Sequence, residues 1–461
     1  AETGAVCEVI NPADGSILGH LPVAGAPELD RAIAAAEKGL RIWRCTPPAR
    51  RTEVLLKAAV LLRERIELIA PLSTLEVGQP IGDARNYLLR GAEIIDWDAN
   101  EGRRVYGRII PSEPGLRQMV VHEPVGVVAA LTPWNAPIFT PCRKIASALA
   151  AGCSLILKAA EEAPAATMAL VQCFIDAGVP PGVLNLVYGD PAMISRYLIE
   201  APAVRLISFT GSVPVGKYLA QLAAQQMKPT IMELGGHAPV IVCADADVQG
   251  AAEKIAAAKY RNAGQACIAP SRFYVHESVY ASFVERFVAA AEKIKVGPGF
   301  EAGVGMGPLA NIRRLAAVES LVDDALKRGA RAASGGKRLP GPGFFFPPTV
   351  LVDVPGDARI LSEEPFGPVV TIAPFRELDD AIAQANALPY GLAGYAFTRS
   401  AATADKIATE LECGAIAINH LTVSTHGIPF GGVKESGIGR EGGTEGVAGY
   451  TISKTVTHLM T

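Results

Sequence analysis

The chain has 461 residues, 49% hydrophobic and 19% charged, with a formal net charge of −3. That length exceeds one ordinary core and predicts two or three domains, and the composition argues against disorder. The charge gives no electrostatic case for nucleic acid, and no apolar run reaches membrane-spanning length.

Residues 1–5 hold no basic region followed by an apolar stretch, so no secretory signal is read. Residues 27–78 read as helical: Pro27 suits a first helical position, and Leu29, Ile33 and Ala36 keep helical spacing. From about 125 the pattern changes. Short apolar runs at 125–131, 154–157, 184–187, 206–209 and 231–234 alternate with helical patterns at 141–151, 163–177, 191–200 and 213–225. Apolar strands joined by helices predict a parallel sheet covered on both faces, a doubly wound α/β domain that takes ligands at its strands' carboxyl ends. A second α/β pattern follows, with strands at 239–242, 272–276, 344–352, 369–374 and 415–419 and helices at 245–261, 277–294 and 309–328. The tail 449–459 is Thr/Val-rich and strand-like; having no obvious partner in its domain, it is expected to pair elsewhere, on another subunit.

Eight scattered cysteines form no CxxC pair, so neither a zinc site nor a disulfide framework is read, and a reducing cytosol fits. The expectations are a cytoplasmic protein, no metal, no nucleic acid and no membrane. One formal motif is set aside. Residues 437–442 spell GxGxxG, but no strand precedes them and only 19 residues follow, so no βαβ unit fits.

Five segments carry chemistry. In Thr132-Pro133-Trp134-Asn135-Ala-Pro137, two prolines fix a loop past a strand end, and Asn135 can aim an amide at a reacting oxygen; the plain alternative is a turn residue. Lys158 and Glu161, where a strand gives way to a helix, can hold ribose hydroxyls, or form a solvated helix start. Thr210-Gly211-Ser212 offers a helix start to a diphosphate, or is an ordinary Ser N-cap. Glu233, between an apolar strand and a double glycine, suits a general base if half-buried with a raised pKa; such a Glu is otherwise a surface residue. Cys267, in Asn262-Ala-Gly-Gln-Ala-Cys267-Ile, reads as a nucleophile or as an inert buried thiol.

In this order, and with Glu363-Glu364-Pro365-Phe366-Gly367-Pro368 and 429–437 added, the segments resemble the aldehyde dehydrogenase superfamily over essentially the whole chain. The resemblance implies a cofactor domain at 1–104 and 124–234, a catalytic domain at 235–435 and a small β oligomerisation element at 105–123 and 443–461, in a homodimer or homotetramer. It implies that Cys267 attacks an aldehyde, that Asn135 and the Cys267 N–H hold the oxyanion, and that Glu233 activates the water that cleaves the thioester. The implied cofactor is NAD, with NADP possible. Lys158 and Glu161 match its adenosine-ribose contacts, Thr210, Gly211 and Ser212 its diphosphate contacts, and Glu364 and Phe366 its nicotinamide contacts, with Pro133 and Trp134 in the same site. The Glu161 carboxylate is expected to repel a 2′-phosphate. Ala159, Val213, Pro214, His237 and Pro365 depart from the family pattern and put the cofactor grip in question.

Arg143 and Arg261, with Ser424, resemble the succinic semialdehyde dehydrogenase branch, in which such arginines hold the substrate's carboxylate; the guanidinium fork suits that task. The loop 419–428 matches that branch poorly. A neutral aromatic or aliphatic aldehyde is the alternative, and both arginines could instead pair with carboxylates within the fold. The rival classes are a cysteine-dependent ester or thioester hydrolase without redox chemistry, and a non-catalytic binding protein.

Overall fold

The apolar runs between 125 and 234 become the strands Val127–Leu131, Ser154–Lys158, Leu184–Val187, Val204–Gly211 and Thr230–Leu234, all paired in parallel. Alternate side chains serve opposite layers. Val128 and Ala130 join Leu55, Leu62, Leu88 and Phe174, whereas Val127, Ala129 and Leu131 join Leu29, Ala36, Ile207 and Leu219. Burial on both faces is why these runs lack polar alternation. Val127–Leu131 sits between Ser154–Lys158 and Val204–Gly211. The winding reverses there, so a crevice opens at the carboxyl ends of the central strands. The computed structural model describes residues 4–460.

The second sheet has seven strands. Pro239–Val242 lies beside Arg272–His276 and Ala393–Phe397, and only the edge strand Arg331–Ser334 is antiparallel. Two expectations are corrected here. The strand read at 344–352 is only Thr349–Val352, because Pro347 and Pro348 offer no N–H to a ladder. The strand Ala393–Phe397, built from small and aromatic residues, was not foreseen.

The helical tract from 27 is three helices, Ala26–Trp43, Pro48–Glu64 and Ile66–Val77, and a fourth, Ile81–Glu101, follows where none was read. This fourth helix packs against Phe139–Ala151. The tail strand Thr451–Leu459 also departs from expectation. It pairs antiparallel with Leu116–Pro124 of its own chain, in register from Thr451–Pro124 to Leu459–Leu116, and Arg108–Ile110 lies beyond. The GxGxxG stretch begins with an edge strand: Gly437 pairs antiparallel with Glu233. Val447 and Tyr450 are buried in the core of the first sheet. Among the described residues no helix is long and apolar enough to cross a membrane.

Candidate active site

The helix Val248–Tyr260 stops at Arg261, and the next three residues turn left-handed: Asn262 at φ 48°, Ala263 at 52° and Gly264 at 72°. Left-handed backbone costs roughly 1–2 kcal/mol for each non-glycine residue, so the surroundings must hold the turn. At Gly264 a side chain is excluded, since a Cβ would stand 2.2 Å from the Gly367 carbonyl oxygen. Buried Gln265 ties the turn down. Its Nε2 donates to the Asn262 carbonyl at 3.0 Å, and its Oε1 accepts from the Ala310 N–H at 2.9 Å. The Gln265 carbonyl accepts from Asn135 Nδ2 at 2.9 Å, and Asn262 Nδ2 donates to the Asn135 carbonyl at 2.9 Å. Asn135 is thereby oriented with one of its two amide N–H groups still uncommitted to Gln265.

Thr230–Leu234 and this loop set Cys267 Sγ 3.0 Å from Glu233 Oε1, with the thiol donating. Burial, and then the charge of Glu441, raise the Glu233 carboxyl; the thiol's hydrogen bond, Lys144 and Thr210 oppose that rise. Burial, followed by the Glu233 charge, pushes the Cys267 thiol well above its ordinary range. The resting cysteine is therefore a thiol with an acceptor already in place. Behind the pair, Lys144 Nζ lies 2.6 Å from Glu441 Oε1 with both side chains buried. Lys144 also donates to Ser208 Oγ at 3.1 Å, which accepts from the Tyr450 hydroxyl at 3.0 Å.

Three local arrangements fit a dinucleotide. Lys158 Nζ is 2.5 Å from Glu161 Oε1 at the end of its strand, and the Gly189 N–H donates to the same oxygen at 3.2 Å. Ser212 precedes the helix Val213–Gln225 but makes no capping bond, which leaves its hydroxyl and the first-turn N–H groups for an anion. Glu364 accepts from the Gly236 N–H at 3.2 Å, and it approaches so closely that a Cβ on Gly235 would meet its Oε2 at 2.4 Å. Burial pushes Glu364 up to about 8. The Phe366 ring meets Trp134 edge-on at 5.7 Å. His237, one of the departures from the family pattern, is spent on the second sheet: its Nδ1 lies 2.7 Å from Ser271 Oγ and its Nε2 2.9 Å from the Ile360 carbonyl.

A cavity of about 270 Å³ joins these parts. Of the residues singled out in the sequence, Pro133, Trp134, Asn135, Arg143, Thr210, Gly211, Ser212, Glu233, Cys267, Glu364, Phe366 and Ser424 line it. Lys158 and Glu161 lie outside it, at and just past the end of the neighbouring strand Ser154–Lys158. Arg261 is exposed and does not itself line the cavity, but its charge acts on Tyr87 and Arg90, which do. Arg143 is buried, donates from Nη2 to Ser424 Oγ at 2.8 Å, and leaves Nε and Nη1 without partners. Tyr87, Arg90, Phe139, Phe430 and Glu441 also line the cavity but were not read from sequence. The one-turn spacing of Tyr87 and Arg90 was the available signal for those two.

Comparison with known proteins bears on this arrangement. The model of the aldehyde dehydrogenase family matches residues 1–456. The chain is 48% identical to 4-(hydroxymethyl)benzenesulfonate dehydrogenase of Comamonas testosteroni, over 98% of this chain and 94% of that protein. It is 42% identical to the NADP(+) succinate-semialdehyde dehydrogenase of Escherichia coli, with the same coverage. A crystal structure of betaine aldehyde dehydrogenase from Staphylococcus aureus in complex with NAD+ superposes with a TM-score of 0.97 at 33% identity, covering 100% of this chain and 94% of that one.

Proposed function

The chain belongs to the aldehyde dehydrogenase family and is an NAD(P)-dependent aldehyde oxidoreductase; from that premise we propose that it oxidises an aldehyde bearing a distal oxyanion, using Cys267, Glu233 and Asn135. The observation that carries this reading is one cavity with the Cys267–Glu233 pair, 3.0 Å apart, and a buried Arg143 with two unpartnered nitrogens in its walls.

The chemistry runs on the chain's own groups. Glu233 takes the thiol proton, and Sγ adds to the carbonyl carbon. The charge that develops on oxygen meets the free Asn135 N–H and the Cys267 backbone N–H, and losing one such donor costs roughly 3 kcal/mol of barrier. NAD(P), held by Lys158 and Glu161, by Thr210, Gly211 and Ser212, and by Glu364 and Phe366, supplies the hydride acceptor. The acyl group then stays on Sγ as a thioester. Glu233, after shedding its first proton, takes one from water as the water oxygen attacks the acyl carbon. Sulfur leaves and the acid departs.

The anion-bearing substrate includes carboxylated semialdehydes such as succinic semialdehyde, in line with one relative's name, and aryl sulfonates, in line with another's. Both share an oxyanion suited to a guanidinium. The Glu161 carboxylate, already held by Lys158 and the Gly189 N–H, favours NAD over a cofactor with a 2′-phosphate. Exposed Tyr106, Ile109, Ile452 and Leu459, on or beside the three-stranded sheet, support a homo-oligomer built through that face.

The test is reduced-nicotinamide absorbance with paired substrates, succinic semialdehyde against butanal and 4-formylbenzenesulfonate against benzaldehyde, each with NAD and NADP. At least one anionic member should exceed its neutral partner about tenfold in kcat/KM, as expected when a buried guanidinium finds its counter-ion, and NAD should be preferred. Equal values within both pairs, or turnover that survives Cys267→Ala, would contradict the reading.

A further inference from the structure

The sequence pairs Arg143 with Arg261, and the folded chain brings a third arginine to them: the charges of Arg143 and Arg261 both act on Arg90. Arg90, on the helix Ile81–Glu101, lines the active-site cavity, and its Nη2 donates to the Ser424 carbonyl at 2.7 Å. Arg143 donates to the hydroxyl of the same serine at 2.8 Å. Both guanidiniums lie over the Phe139 ring, Arg90 Cζ at 4.6 Å and Arg143 Cζ at 5.0 Å from its centroid, and Phe430 lies 5.3 Å from Arg143 Cζ. We propose that Arg90 is a further cation of the oxyanion subsite, so that Arg90, Arg143 and the Ser424 hydroxyl together receive the carboxylate or sulfonate of the substrate. This rests on the function proposed above and assigns the specificity of that same site.

Charge accounting is the main support. Among the described residues neither Arg90 nor Arg143 forms an ion pair, although each sits in a partly or wholly buried place. Arg143 is 3% exposed and keeps two nitrogens without acceptors. The acids nearby do not make up the deficit. Asp98 senses Arg143, but burial pushes it up to about 7 and its Oδ2 already accepts from Ser147. Glu93 acts on Arg90 while lying 3.8 Å from His426. Arginine does not shed its proton in proteins, and like charges sharing a low-dielectric cavity repel. An anion removes that cost, and the aromatic face of Phe139 offsets part of it in the meantime. The aromatic walls also suit the apolar body of an aldehyde lying between the cations and Cys267.

The experiment compares Arg90→Met and Arg90→Lys with wild type. Arg90→Met keeps an apolar stem and removes the charge. It should raise KM about tenfold or more for whichever anionic aldehyde the wild type prefers, because a desolvated ion pair is broken, while KM for NAD and for benzaldehyde stays within about twofold. Arg90→Lys should recover part of the loss. A loss with succinic semialdehyde identifies a carboxylate as the ligand, and a loss with 4-formylbenzenesulfonate identifies a sulfonate. Thermal midpoints of all variants, with and without the unreactive succinate or benzenesulfonate, separate folding from binding; these anions should stabilise wild type more than Arg90→Met. Unchanged anionic KM in a folded Arg90→Met, or an equal rise for benzaldehyde, overturns the proposal. A wild type indifferent to anionic groups instead overturns the function on which it rests.

Discussion

At the scale of single residues, position decides which ionisable groups do chemistry and which hold structure. Cys267 and Glu233 are both pushed toward their protonated forms, yet they touch across 3.0 Å and border the cavity. His237 is as deeply buried and does neither. Burial and the nearby charge of Arg272 press it from 6.5 to about 3. A histidine depressed on folding must be charged on unfolding in acid, so its contribution is complete above about pH 6.5 and is lost as pH falls toward 3. At pH 4.5 that loss is about 2–3 kcal/mol. His237→Gln can keep both hydrogen bonds without titrating. Urea-unfolding midpoints of the two proteins should therefore converge or cross between pH 7 and 4.5, and parallel curves would count against this account. Asn135, Glu233 and Cys267, which the fold brings to one cavity, were legible because each stands in a short motif: past a strand end, in a strand before a double glycine, and in the turn after a helix. Arg90 was not, because it stands alone on a helix whose mixed polar and apolar opening, Ile81-Gly-Asp-Ala-Arg-Asn-Tyr87, shows little hydrophobic contrast.

At the scale of elements, that turn is the part on which the nucleophile's placement depends. Gly264→Ala would add a methyl 2.2 Å from the Gly367 carbonyl at a φ of 72°. The turn must open, carrying Gln265 and Cys267 with it. The expected cost is roughly 2–4 kcal/mol of stability, and activity should fall by about 100-fold or more, since misplacement of about 1 Å has that effect. A thermal midpoint and a steady-state rate check both; a variant with wild-type activity would show that the turn does not position Cys267. The parallel strands from 127 to 234 were legible because burial on both faces writes them as unbroken apolar runs. Ala393–Phe397 escaped because its Ala-Gly-Tyr-Ala-Phe sequence owes its strand to neighbours on each side, not to its own composition.

At the scale of the whole molecule, the site is assembled from parts that no local pattern links. The first sheet supplies Glu233 and the helix start at Ser212, the approach to the second sheet supplies Cys267, and helices from the first half of the chain supply Arg90 and Arg143. Gly437–Ile438 returns to buttress the strand that carries Glu233, and the tail strand closes on Leu116–Pro124. The first of these pairings lay beyond sequence reading, because a strand's pattern states that it needs a partner but not which one; for the second, only the family resemblance grouped 105–123 with 443–461. The central claim is that Cys267 carries the acyl group and Glu233 releases it. The most direct measurement mixes Glu233→Gln with NAD and the preferred anionic aldehyde at alkaline pH, where the thiol ionises without its partner. Absorbance of the reduced nicotinamide is followed, and the protein is then mapped by mass. The account predicts about one equivalent of reduced cofactor per chain, then a stall, with the acyl mass on Cys267. Sustained turnover near the wild-type rate, or an acyl group on any other residue, would contradict it.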